Sequence, residues 1–158
     1  MSGLRVRHAT RDDLELLWRW ANEPGTRAAS FSSDPIPWDT HVAWFERKMA
    51  DAACRLYIVT LASGEPAAQV RFDLRGPVAD VSISVAAEHR GRGYAVTALE
   101  LATAAFLAEV PAGRIHAYIK PDNLASLRTF AKAGYANEEA CTVKGQRAVR
   151  LERSRLDG

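Results

Sequence analysis

Apolar and polar positions change period several times along the chain, and each change marks an element. Leu4–His8 alternates and predicts a short strand. Thr10-Arg11-Asp12-Asp13 offers a capped helix start, with Asp13 in the place where Glu usually closes the box. Leu14, Leu17, Trp18 and Ala21 follow at spacings of three and four, the buried stripe of a helix that ends at Pro24-Gly25. Ser30–Pro37 holds two prolines, Pro35 and Pro37, and is expected to be irregular. A second helix spans about Trp38–Met49, with Val42, Phe45 and Met49 on one side. Arg55–Thr60, Ala67–Leu74 and Val78–Ala86 read as three strands joined by the turns Ser63-Gly64-Glu65-Pro66 and Arg75-Gly76-Pro77. A third helix runs from about Gly93 to Glu109, followed by a strand at Arg114–Lys120 and a helix at Asp122–Ala133 closed by Gly134. Two last strands, about Tyr135–Val143 and Arg147–Arg153, meet at Lys144-Gly145.

The order is thus β-α-α-β-β-β-α-β-α-β-β. Hairpin-length connections require antiparallel neighbours, and the later β-α-β requires a parallel pair. The expected class is α/β (α+β): a mixed, mostly antiparallel seven-stranded sheet flanked by four helices. A length of 158 residues suits one domain over 1–158, and 47% hydrophobic residues can supply its core without a staple.

Composition excludes several roles. Ten Gly and 7 Pro do not fit a collagen-like or low-complexity chain. Twenty-one basic against 19 acidic residues leave a formal charge of +2, too balanced for a nucleic-acid or membrane partner. The longest uncharged apolar run, Leu101–Ala108, falls far short of the ~20 residues that cross a bilayer. The N-terminus lacks the apolar stretch of a signal peptide, so a cytoplasmic location is expected. Cys54 and Cys141 have no metal-ligand spacing; reduced thiols are the expectation and a disulfide the alternative. No metal site is expected.

Candidate chemistry begins at Glu88-His89-Arg90-Gly91-Arg92-Gly93-Tyr94-Ala95, between a strand and a helix. Two glycines let consecutive amides face one point, and the helix N-terminus adds its positive end, a combination that binds phosphate. Arg90 and Arg92 offer charge-assisted hydrogen bonds to phosphate oxygens. The alternative is an ordinary strand-to-helix turn with its arginines in water. Neither the Gly-Lys-Ser/Thr pattern nor a third fingerprint glycine is present.

Some 30 residues later come Asn123-Leu124-Ala125-Ser126, Phe130 and Gly134-Tyr135. Together, Arg90-x-x-Gly93-x-Ala95 and Asn123-x-x-Ser126 with Gly134-Tyr135 resemble the cofactor motifs of the GCN5-related N-acetyltransferase family, and the element order agrees along the whole chain. The resemblance implies acetyl-coenzyme A (acetyl-CoA) as cofactor, its pyrophosphate on the amides of Arg90, Gly91, Arg92, Gly93, Tyr94 and Ala95. It further implies that Ile83-Ser84-Val85 runs along the pantetheine arm, that this strand and Arg114–Lys120 splay apart, and that Asn123, Ser126 and Phe130 face the cofactor. Asn123 also suits a helix cap. Members often dimerise, so a homodimer is an open possibility.

One feature departs from that pattern. Many members carry a Tyr four residues after the Ser to protonate the leaving thiolate, and here Phe130 stands there. Alternation in Arg114–Lys120 puts His116, Tyr118 and Lys120 on one face, opposite Ile115, Ala117 and Ile119. Tyr118 and His116 are therefore candidates for moving protons, with packed, satisfied side chains as the alternative, and the main-chain amides near Ser84 and Val85 are candidate oxyanion donors. On the acceptor side, Gln69, Arg71 and Asp73 share one strand face, which lines a cleft or is simply exposed, and Asp73 is either a candidate base or a solvated strand end. Trp18, Trp38 and Phe45 fit helical core stripes, whereas Trp20, His41 and Trp44 fall off them and are candidate cleft residues. Phe31, Ser33, Arg71 and Asp73 complete the candidate substrate set. Trp18–Pro24, Phe31–Ile36, His41-x-x-Trp44-Phe45 and Gln69–Asp73 resemble the amino-sugar acetyltransferases of the pseudaminic-acid pathway, which implies a nucleotide-linked amino sugar as the amine acceptor. Ribosomal-protein N-terminal and aminoglycoside acetyltransferases share this helix pair and remain alternatives, as does a coenzyme A-binding module with little catalysis.

Overall fold

The computed structural model describes residues 3–155. Its strands are β1 (Arg5–His8), β2 (Cys54–Thr60), β3 (Pro66–Arg75), β4 (Val78–Val85), β5 (Arg114–Ile119), β6 (Ala136–Val143) and β7 (Gln146–Ser154). They form one sheet in the order β1-β2-β3-β4-β5-β7-β6, antiparallel throughout except for β4 with β5. Five α-helices are present among the described residues: α1 (Leu14–Ala21), α2 (Pro24–Ala29), α3 (Trp38–Ala50), α4 (Tyr94–Glu109) and α5 (Leu124–Lys132). No helix there is long and apolar enough to cross a membrane.

Two cores sandwich the sheet. On one face Val70, Phe72, Val81, Ile115 and Ala117 pack with Leu99, Phe106 and Phe130 of α4 and α5. On the other, Leu17 of α1 and Phe45 of α3 close over Leu56 and Ile58. Strand β2 is accordingly buried on both sides, whereas β3 and β4 alternate apolar and polar residues.

The Thr10 box forms as expected: the Asp13 carboxylate accepts the Thr10 amide at 2.8 Å and the Arg7 guanidinium at 2.8 and 2.9 Å. Burial pushes the Asp13 carboxyl up, but those donors outweigh it and hold it below its ordinary range. A 3-10 turn over Arg11–Asp13 precedes α1. The hairpin at Lys144-Gly145 places both residues at positive φ, 49° and 76°, the geometry a two-residue turn requires.

Two expectations need correction. Pro24-Gly25 starts a helix instead of ending one, so the helices number five: Pro24 occupies the first turn, where its missing N–H costs nothing, and Glu23 caps it by accepting the Thr26 amide at 3.0 Å. In α3 the buried residues are His41 and Phe45, while Trp38 and Met49 are 39% and 43% exposed. The stripe is rotated because the His41 ring spends a donor on the Leu14 carbonyl at 2.9 Å, which makes its burial tolerable. The cysteines, by contrast, are as expected: Cys54 on β2 and Cys141 on β6 are free thiols separated by five strand spacings, roughly 24 Å, so the disulfide alternative falls. Burial, with Asp73 nearby, pushes the Cys54 thiol up to about 11.

Phe72 and Phe106 stack at 4.3 Å between ring centroids, both without exposure, and join β3 to α4. Phe106→Ala is expected to destabilise the protein by about 3–5 kcal/mol, read as a lower midpoint in urea unfolding. A change below 1 kcal/mol, well under that range, would mean that the helix does not depend on this contact.

Candidate active site

The parallel pairing of β4 and β5 runs from Val78↔Arg114 to Val81↔Ala117 and then stops, although both strands continue. Ser82–Val85 therefore keep their β3 partners and lose those on the β5 side. The Ala86 amide donates to Ala67 O at 2.8 Å, so alternation turns the main chain of Ser82 and Ser84 toward β3. The N–H and C=O of Ile83 and Val85 are left on the open edge, about 13 Å long at the usual strand rise.

Directly after β4, Gly91 and Gly93 adopt φ of 77° and 76°, which L-residues with side chains resist. A Cβ at either would meet nothing within 4 Å, so the glycines serve the dihedral and leave the bend open. Gly93 caps α4 without a side-chain bond. The amides of Gly91, Arg92 and Gly93, with the first-turn amides of α4, find no acceptor among the described residues and make an anion-binding bend. His89 anchors it from below: the ring is buried and bonds to Glu65 in the β2–β3 turn at 2.5 Å.

Arg90 does not point into this bend, contrary to the expectation of a phosphate contact. Its Nη1 and Nη2 donate to the two Glu23 carboxylate oxygens at 2.8 and 2.9 Å, Nη2 also to Thr26 Oγ1 at 3.2 Å, and Nε to the Val85 carbonyl at 3.1 Å. This pairing holds the Glu23 carboxyl down at about 2. Gly25 makes it possible, since a Cβ there would lie 2.7 Å from Arg90 Nη1. Nothing in the sequence marks Glu23 and Gly25 as partners of a residue so distant; Arg92 stays exposed beside the bend.

The open edge of β4 is one wall of a cavity of about 800 Å³. Ile83, Ser84, Val85, Arg90, Ala95, Asn123, Ser126 and Phe130 line one part; Phe31, His41, Trp44, Arg71 and Tyr118 line another. The exposed bend of Gly91, Arg92 and Gly93 adjoins it through Arg90 and Ala95, with Tyr94 packed toward the core. Asn123 caps α5, its side chain accepting the Ser126 amide at 3.2 Å. No Asp or Glu side chain lines the cavity among the described residues, while Arg27, Arg47, Arg71 and Arg90 do. The segment from α2 to Ser32 roofs it: Lys120 Nζ donates to Ala28 O at 2.9 Å, Gln146 Nε2 to Phe31 O at 2.7 Å, and Lys144 Nζ to Ser32 Oγ at 2.6 Å.

Four candidates fall outside. Trp20 packs against the smaller core on α1, and Ser33 is exposed away from the cavity. Asp73 is held between Lys48 Nζ at 2.7 Å and Arg71 Nε at 2.9 Å; burial opposes its charge, yet the two cations keep its carboxyl below the ordinary range, which disqualifies it as a base near neutrality. His116 is buried, bonded to Glu152 at 2.9 Å, and does not reach the cavity, because β4 and β5 are still paired at Asp80↔His116.

Of the remaining candidates for moving protons, Tyr118 lies just past the point where pairing ends. Its hydroxyl accepts from Arg75 Nη2 at 3.1 Å, and Arg75 is fixed by Asp80 at 2.8 and 3.0 Å. Ser84 Oγ accepts from Gln69 Nε2 at 3.1 Å. Each hydroxyl thus keeps its proton to donate. Phe130 is buried edge-on against Tyr135 at 5.1 Å and brings no hydroxyl. His41 stacks on Trp44 at 5.6 Å, and burial lowers its pKa, so the ring is neutral near pH 7.

Residues 3–136 match the Acetyltransferase (GNAT) domain. No curated relative matches the sequence. The chain is similar in fold to spermidine N-acetyltransferase from Vibrio cholerae in complex with CoA and spermine (19% identity, 98% of this chain and 97% of that one, TM-score 0.87). It is similar also to the aminoglycoside acetyltransferase AAC(6')-Ib in complex with paromomycin and acetyl-CoA (19% identity, 98% and 95% covered, TM-score 0.85). A domain from Methanocaldococcus jannaschii shares the fold at 19% identity, 98% and 99% covered, with a TM-score of 0.82. With a family match over most of its length and the strand gap and amide bend in place, the chain belongs to the GNAT acetyltransferase family.

Proposed function

We propose that the protein transfers the acetyl group of acetyl-CoA directly to a primary amine of a small molecule, preferably a nucleotide-linked amino sugar. The observation that carries this is one continuous cavity, in which the unpaired edge of β4 joins the neighbourhood of the amide bend to an aromatic, arginine-bearing wall. Acetyl-CoA supplies an activated acyl carbon: a C–N bond forms, the C–S bond breaks, the amine loses a proton and the sulfur gains one. The amides of Gly91 to Ala95 would hold its pyrophosphate, and Asn123 and Ser126 would flank its arm. The open main chain of Ile83 and Val85 would orient the arm, with the Val85 N–H as the candidate oxyanion donor. Ser84 and Tyr118, held by Gln69 and Arg75, are the proton donors in place of the tyrosine absent at Phe130. Arg90 is a positioning residue that ties the bend to α2 through Glu23.

The acceptor reading rests on the resemblance to the pseudaminic-acid-pathway enzymes and on the cavity itself. Trp44 and Phe31 offer ring faces, and arginines without carboxylates suit a diphosphate better than the several ammonium groups of an aminoglycoside or polyamine. A cytoplasmic location and a homodimer belong to the same reading.

Thiol release from acetyl-CoA is expected with a UDP-linked amino sugar and to be weaker with kanamycin, spermidine and peptide amines. Tight cofactor binding without turnover on any of them would overturn the enzymatic reading. Tyr118→Phe should lower kcat by about 10²-fold, and Ser84→Ala by a similar factor if it shares the proton transfer. An unchanged kcat removes the residue from the chemistry.

Glu23 gives a pH signature. Its folded carboxyl lies below the ordinary value of 4.5, at about 2, so the stabilisation from the Arg90 pair is complete above 4.5 and lost as pH falls toward 2. Thermal unfolding followed over that range should be less acid-sensitive in Glu23→Gln. At neutral pH the same variant should weaken acetyl-CoA binding by about tenfold in calorimetry, the size of one charge-assisted hydrogen bond.

A further inference from the structure

The acceptor end of the cavity has an electrostatic character that the family assignment does not supply. Along α3, Thr40, Trp44 and Arg47 recur at spacings of four and three and all line it. Across from them, Arg71 projects from the polar face of β3, its guanidinium carbon 5.2 Å from the centre of the Trp44 ring. Not all the arginines of the lining are available. Arg27 is spent on the carbonyls of Ala21, Ser32 and Asp34, and Arg90 on Glu23, Thr26 and Val85. Arg71 uses only its Nε, on Asp73, and Arg47 has no hydrogen-bond or ion-pair partner among the described residues.

Neighbouring carboxylates do not neutralise this end. Glu46, next to Arg47, is bound by Arg11 at 2.7 Å, and Asp73 is shared by Lys48 and Arg71. Asp73 is thus shared by two cations, Lys48 and Arg71, and Arg47 is left without a carboxylate among the described residues. Both guanidinium groups keep free terminal donors in the lining of one cavity, and each fork suits bidentate bonding to a planar oxyanion. A ligand with several ammonium groups would meet uncompensated positive charge here.

We infer that Arg47 and Arg71 form a subsite for an oxyanion, a phosphate or a carboxylate, carried by the acceptor amine. The inference rests on the N-acetyltransferase reading and adds the charge class of the acceptor and the residues that select it. Trp44 holds Arg71 in place by its ring face, and the amine of the acceptor extends from this anchor toward Ser84.

The test compares glucosamine, glucosamine 6-phosphate, muramic acid, a UDP-linked amino sugar, spermidine and kanamycin as acceptors. KM should be lowest for the anionic amines; glucosamine 6-phosphate against muramic acid separates phosphate from carboxylate. Arg47→Gln should raise KM for the preferred anionic acceptor roughly tenfold to hundredfold, the loss of charged hydrogen bonds, with little change in kcat and in the Kd for acetyl-CoA. Arg71→Lys, which keeps the charge beside Asp73 but loses the fork, should raise it as well. High salt should raise KM in the parent and much less in Arg47→Gln. Equal or better KM values for glucosamine, spermidine or kanamycin, or an Arg47→Gln protein with unchanged KM, would overturn the subsite. If no amine is acetylated, calorimetry with UDP and glucosamine 6-phosphate still decides: binding that Arg47→Gln weakens supports the subsite while the transfer reading fails, and no binding overturns it.

Discussion

The cavity of this protein follows from two strands that part company. Parallel pairing between β4 and β5 satisfies the backbone of Val78–Val81 and then ends, so the polar edge beyond Val81 is held open by the framework around it. An unpaired edge inside a protein is costly unless something hydrogen-bonds to it. Here the remaining partners of Ser82 and Ser84 lie on β3, which keeps the strand straight while Ile83 and Val85 face the gap. The stacked Phe72 and Phe106, and the packing of α4 and α5 on one sheet face, fix the walls so that the gap neither closes nor frays.

The glycine bend and the cap of α5 were readable in the chain and the roof of the cavity was not, for a physical reason. Gly91 and Gly93 sit where the backbone needs positive φ, and Asn123 sits where a helix needs a cap; such demands are local and leave residue-type signatures. The roof is built from contacts across long separations. Glu23 reaches Arg90, Lys144 reaches Ser32, and Gln146 reaches Phe31, and none of these pairs has a spacing that a sequence can display. The same holds for Asp73, whose place on a polar strand face is legible while its capture by Lys48 is not.

Two misreadings are instructive. Pro24-Gly25 has the appearance of a stop, yet proline is as much at home in the first turn of a helix as just beyond its last, and only the capping Glu23 distinguishes the cases. His116 and Tyr118 share a face, and alternation gives both the same claim to the cleft. What separates them is where the neighbouring strand lets go: pairing covers His116 and has ended by Tyr118. Periodicity assigns a face, whereas access depends on the length of the adjoining ladder.

The missing side chain at Gly25 has a consequence for how this protein varies. A methyl group there would crowd the tip of the Arg90 side chain, so the roof of the cavity and the bend after β4 are geared to each other through that contact. A change in the 23–26 stretch is therefore felt at position 90. The side chains of α3 that hang into the chamber take no part in this pairing and are free to vary apart from it.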